Sequence, residues 1–128
     1  MITEDYVSFE TAKLLKKKGF DEPTLWFYVG DGTKYTAHKT TGDDWWRRPT
    51  IQMTMKWLRE VYGLVISIYN GNHKTDNRDT STPDNVYYFF DITDARAVYD
   101  EEKQCYKEFI SYEEACEGAI QYCLQNLI

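Results

Sequence analysis

Apolar side chains recur at helical spacing in three stretches of the chain and at strand spacing in five, and the two periods alternate along it. Ser8 is placed to cap FETAKLLKKKG. Phe9, Ala12 and Leu15 form one stripe of that segment, Glu10 sits in its first turn and Lys16, Lys17 and Lys18 in its last. Gly19 supplies a natural stop. The lysines are expected to face water. Leu25–Val29 is dense in aromatic residues and predicts a strand, turned by Gly30-Asp31-Gly32 and returned by a second strand over Thr33–His38.

Thr41–Arg48, TGDDWWRR, is predicted as a polar loop carrying two adjacent tryptophans. Pro49 then precedes Thr50, a cap for a helix in which Ile51, Met55, Leu58 and Tyr62 keep one face and Gly63 ends the run. Leu64–Tyr69 alternates as a strand. Asn70–Asn85 has the composition of a loop, and Val86–Thr93, VYYFFDIT, is the most β-prone segment and the expected central strand. Residues 94–102 fit a helical turn or the start of a strand, and Gln104–Phe109 closes a hairpin. Ser111 with Glu114 opens the last helix as a capping box, and Ala115, Cys116, Ala119 and Cys123 give it a stripe of small residues.

The pattern therefore predicts a single α+β domain over residues 1–128 in the order α-β-β-α-β-β-β-α. Four to five mostly antiparallel strands would carry about three helices packed on one face. A chain of 128 residues buries roughly two-thirds of its extended surface without metal or crosslinks. With 42% apolar and 28% charged residues it belongs among folded domains rather than disordered ones.

Charge sharpens the picture. Residues 1–90 hold 12 acidic and 12 basic side chains, whereas residues 91–128 hold 9 acidic and 3 basic and carry the whole excess of −6. That balance offers no global footprint for nucleic-acid phosphates. A local patch from Lys34, Lys39, Arg47, Arg48, Lys56 and Arg59 keeps a nucleic-acid-binding module as an alternative, with acidic residues interspersed. No apolar run approaches the roughly 20 residues of a membrane span, and no basic-then-apolar leader opens the chain, so a cytoplasmic protein without membrane contact is expected.

Three cysteines without a CxxC pair predict neither a disulfide framework nor structural zinc. Cys116 and Cys123, about 10 Å apart along one helix face, are expected to be core residues. No glycine-rich phosphate loop is present and no cofactor is expected. Catalysis by a small enzyme, or sequestration of a ligand, would require His38 or His73 to meet a carboxylate and a cysteine or tyrosine in a cleft.

The aromatic share of 16% points elsewhere, because a tryptophan pair cannot place both rings in a core from adjacent extended positions. Tyr87 and Phe89 share one face of their strand, and Tyr88 and Phe90 the other. The candidate binding surface is therefore Trp45, Trp46, Arg47, Arg48, Tyr88 and Phe90, serving a protein partner or self-association as a homodimer. At PTIQMTMKWLREVYGLVISIY, at ISYEEACEGAIQYCLQNLI and at MITEDYVSFETAKLLKKKGF, the chain resembles a group of small uncharacterised proteins encoded by Bacteroides-type gut bacteria and their phages or prophages. The likeness implies a phage or mobile-element origin. It brings no activity, cofactor or catalytic residue with it.

Overall fold

A computed structural model of the chain describes residues 1–40, 42–72, 86–95, 102–104 and 107–128. The order is α1 (Phe9–Lys17), β1 (Phe27–Val29), β2 (Lys34–Thr36), β3 (Trp45–Arg47), α2 (Ile51–Tyr62), β4 (Leu64–Asn72), β5 (Val86–Asp94), β6 (Glu102–Gln104) and α3 (Tyr112–Tyr122), closed by a π-helical turn at Cys123–Leu127. The α+β class, the three helices and the antiparallel pairing stand as the sequence predicts. One strand is added, at Trp45–Arg47, and the strands divide into two sheets, β2-β1-β3 and β4-β5-β6.

Each helix starts on the side chain its sequence offered. Ser8 Oγ accepts from the Thr11 N–H, Thr50 Oγ1 from Met53 and Ser111 Oγ from Glu114, at 3.2, 3.1 and 3.1 Å. Each bond satisfies an N–H that the first helical turn leaves without a partner, a contribution of about 1 kcal/mol. Gly63, at φ 71, ends α2 and lets the chain enter β4 directly.

The added strand exists because its partner is distant. The turn at Gly42–Asp44 brings Trp45–Arg47 back beside Phe27–Val29, pairing Tyr28 with Trp46 and Val29 with Trp45. Hydrogen bonds from Gly30 N to Asp44 O and from Arg48 N to Trp26 O extend the ladder at both ends. Both edges of β1 are thereby occupied, and β4 pairs in the other sheet.

In the second sheet the register pairs Ile66 with Ile92 and Ile68 with Phe90. These residues share one face, and α2 and α3 pack over it. The core joins them to Leu15, Phe20, Trp57, Leu58, Ile120 and Leu124. The small stripe of α3 lies fully buried, as its composition implies: Ala115, Cys116, Ala119 and Cys123 expose no surface.

Of the strand expected over 104–109, residues 105 and 106 lie outside the described residues; Gln104 pairs with Asp91, and Phe109 exchanges two 2.9 Å backbone bonds with Tyr88. His73, most of the 70–85 loop, residues 96–101 and Cys105 lie outside the described residues. Among the described residues, no helix is long and apolar enough to cross a membrane.

Candidate binding surface

The three-stranded sheet carries its side chains on two faces with different chemistry. One face presents Phe27, Val29, Lys34, Trp45 and Arg47, and the other Tyr28, Tyr35 and Trp46, as the cross-strand register dictates. The two tryptophans accordingly point opposite ways.

Trp46 turns inward. Its ring meets Phe9 edge-on at 4.9 Å and packs against the core, and Phe9 meets Tyr28 at 5.5 Å. Tyr28 anchors this face by donating its hydroxyl proton to the Val7 carbonyl. Trp46 is thus a packing residue that fastens the sheet to α1.

Trp45 lies half-buried on the edge strand, its ring meeting Phe27 edge-on at 5.9 Å. Three cations surround it. Lys16 Nζ stands 4.5 Å from the ring centroid, Lys39 Nζ 4.6 Å and the Arg47 guanidinium 5.7 Å. Each such pair contributes about 0.5–1 kcal/mol where solvent reaches it.

Lys16 does not face water as its position in a run of lysines suggested. Its ammonium donates to the carbonyls of Asp43 and Trp45 at 2.9 and 2.7 Å, tying the end of α1 to β3. Arg47 pairs with the exposed Asp21 at 3.0 Å. Among the described residues, Lys39 meets the rings of Phe27 and Trp45 alone. Beside Trp45 opens a recess of about 350 Å³, with Ala12, Leu15 and Phe20 at its apolar side and Lys16, Asp21 and Arg47 at its polar side.

Arg48 belongs to the opposite face. Its guanidinium is held between the rings of Tyr6 and Tyr35, 4.1 and 4.0 Å from their centroids, with Tyr28 at 5.4 Å. Nε is buried and has no hydrogen-bond partner.

Tyr88 and Phe90 do not join this surface. Phe90 is 3% exposed, because its pairing with Ile68 sets it under α3, where it meets Phe109 and Tyr122. Tyr88 shares that covered face and meets Tyr112 edge-on. Hydrophobicity made the pair eligible for either face; register and helix packing bury Phe90 in the core and leave Tyr88 half-buried beside Tyr112. On the other face of the sheet, Tyr69 stacks on Phe89 at 5.4 Å.

The predicted positive patch is brought together only in part. Lys34, Lys39 and Arg47 lie on the Trp45 side of the small sheet, Arg48 faces away from them, and Lys56 lies beside Glu60 on α2 at 3.9 Å. His38 is exposed beyond β2, while Cys116 and Cys123 are sealed in the core, so these groups do not converge. Burial pushes the Cys116 thiol up to about 11 and the Cys123 thiol up to about 12, which makes both poor nucleophiles near neutral pH. Among the described residues, no three His, Cys, Asp or Glu side chains form a metal-binding group.

A second recess, of about 560 Å³, lies between α3 and the Lys107–Ile110 segment. One of its walls, Glu117, serves the fold. Its Oε1 accepts from the Ser8 N–H at 2.9 Å and from the Thr11 hydroxyl, to which Gln121 also donates at 3.1 Å. This network ties α1 to α3.

Tyr6, Tyr35 and Lys16 were missing from the sequence-based surface. The strand period would have put Tyr35 beside Tyr28, but nothing local marks Tyr6 or Lys16 as neighbours of Trp45–Arg48. The fold and surface together define an α+β domain with a half-buried indole under three cations. No family model matches the chain, and no curated protein or solved structure is significantly similar to it.

Proposed function

We propose that the protein is a non-enzymatic, intracellular protein-binding module that takes an acidic segment of its partner on the Trp45 edge of the small sheet. The observation that carries this reading is the set of Lys16, Lys39 and Arg47 around one half-buried indole, beside an apolar recess. An aromatic anchor in a recess, rimmed by charge, is the arrangement that concentrates binding energy at protein interfaces. The cations would select carboxylates, and the recess would seat an apolar side chain next to them.

A protein partner is favoured over nucleic acid. The chain carries −6 overall, which opposes a polyanionic phosphate backbone more strongly than a short acidic segment. The resemblance to proteins of Bacteroides-type bacteria and their phages directs the search to such a host, with and without infection. Tagged wild-type protein, Trp45→Ala and Lys39→Glu are to be used in parallel pulldowns from those lysates, with folding checked by circular dichroism. A partner recovered by the wild type and lost by both folded variants is expected. Identical recovery by all three, or nuclease-sensitive material in place of protein, overturns the proposal.

A further inference from the structure

We infer that Arg48 is a receptor for a carboxylate of a peptide chain, on the face of the small sheet opposite Trp45. Several observations carry this. Among the described residues Arg48 has no side-chain hydrogen bond or ion pair, its buried Nε included, although a guanidinium has five N–H donors. This happens in a chain with more carboxylates than cations, and with Glu4 and Asp5 immediately before Tyr6 in sequence.

The clamp is also built from separate parts of the chain. Tyr6 belongs to the N-terminal segment, which bridges to Thr50 and hydrogen-bonds Pro49 through Val7 N, whereas Tyr35 belongs to β2. The two rings lie at nearly equal distances from the guanidinium, and Trp26 meets Tyr35 edge-on at 5.6 Å. With rings near 4 Å from the cation and Nε buried without a partner, the Nη groups are the donors left to a ligand.

The Nη edge presents parallel N–H donors, the geometry that two carboxylate oxygens match. The described residues bring no second cation to Arg48. A single positive charge suits a monovalent carboxylate better than a phosphate dianion or a polyphosphate backbone. Tyr35, over half exposed, gives the ligand an apolar flank. The same chemistry is offered by an aspartate or glutamate side chain and by a chain terminus. This inference stands independently of the Trp45 surface.

The buried Nε supplies the readout, since a sealed Nε–H exchanges slowly enough to follow by ¹H–¹⁵N NMR on the full chain. Its resonance is assigned by its disappearance in Arg48→Lys. Sodium acetate, N-acetylglycine for a chain terminus and the α-amide of N-acetylaspartate for a side chain are titrated. Sodium chloride, acetamide and inorganic phosphate serve as comparisons. A saturable shift with the carboxylates is expected, larger for one of the two peptide analogues than for acetate, with none from chloride or acetamide and a weaker one from phosphate.

Arg48→Lys keeps the charge and loses the fork, and is expected to weaken binding about tenfold, followed at the backbone amides of Tyr35 and Arg48. Tyr35→Leu, at an exposed position, is expected to stay folded and weaken it severalfold by opening the clamp. Absence of a saturable shift with any carboxylate overturns the inference. So does an equal response to chloride, tighter binding of phosphate, or unchanged affinity in both folded variants.

Discussion

Gly32 is where the turn between β1 and β2 meets α1, and replacing it tests how the small sheet is seated. Its φ is +83, in the left-handed region that costs an L residue about 1–2 kcal/mol. A Cβ built on it would fall within the Phe9 ring, so Gly32→Ala also overpacks a junction that includes Tyr28 and Trp46. Overpacking adds about 1–3 kcal/mol. The sum is a loss of about 2–5 kcal/mol, to be read from the urea midpoint at constant m-value.

The two contributions separate in a double-mutant cycle. Phe9→Ala removes a half-buried ring and is expected to cost about 2 kcal/mol by itself, below the range for a fully buried one. Once the ring is gone, Gly32→Ala should cost only its backbone part, about 1–2 kcal/mol. The two substitutions must therefore be less costly together than their sum by about 1–3 kcal/mol. If the costs add to within about 0.5 kcal/mol, Phe9 does not rest on Gly32 and the account of this junction is wrong.

Two further outcomes follow from the core. In a Cys105→Ser background, Cys116 and Cys123 should resist Ellman's reagent at pH 8 and react only as fast as the protein opens; immediate stoichiometric reaction would contradict their burial. Because burial raises both thiols above 9.0, to about 11 and about 12, the unfolded chain gives up these protons first as pH rises. Their contribution to stability is thus complete below pH 9.0 and declines through 11 to 12, visible as a falling urea midpoint that Cys116→Ala flattens. Thr11→Val keeps the shape of a fully buried side chain but removes the hydroxyl shared by Glu117 and Gln121. It should cost about 1–3 kcal/mol in urea unfolding, with Thr11→Ser recovering most of it, and a neutral Thr11→Val would dismiss the network as a tie.

What could be read from the sequence was whatever local chemistry decides. Ser8, Thr50 and Ser111 cap because a side-chain oxygen three residues before an N–H reaches it, whatever the rest of the chain does. The long β5 is written in its β-branched and aromatic residues, and the small stripe of α3 in its spacing. β3 was not legible, since three residues between polar stretches carry no period and the partner, Phe27–Val29, lies about 18 positions upstream. The covered face of β5 was not legible either. Tyr87 with Phe89 and Tyr88 with Phe90 are equivalent in composition, and only the pairing to Ile66 and Ile68 distinguishes them. That ambiguity accounts for the placing of Phe90 on a surface, when it is one of the best-buried rings of the molecule.

The candidate surface depends on α1 more than on the strand that bears it. β3 is short and, among the described residues, pairs with β1 alone, so its position is fixed from the side by a helix. Phe9, in the first turn of α1, holds Trp46, and Lys16, seven residues on, holds the carbonyls flanking Asp44 and the Trp45 ring. Seven residues is two helical turns, so both grips come from one face of α1. Further round the helix Thr11 and Leu15 are buried, and Thr11 is tied through Glu117 to α3. A partner that pulls on Trp45 therefore pulls on α1, and through Thr11 on the acidic helix at the end of the chain. The Ser8–Thr11–Glu117–Gln121 network lies on that route, between the helix that grips Trp45 and α3.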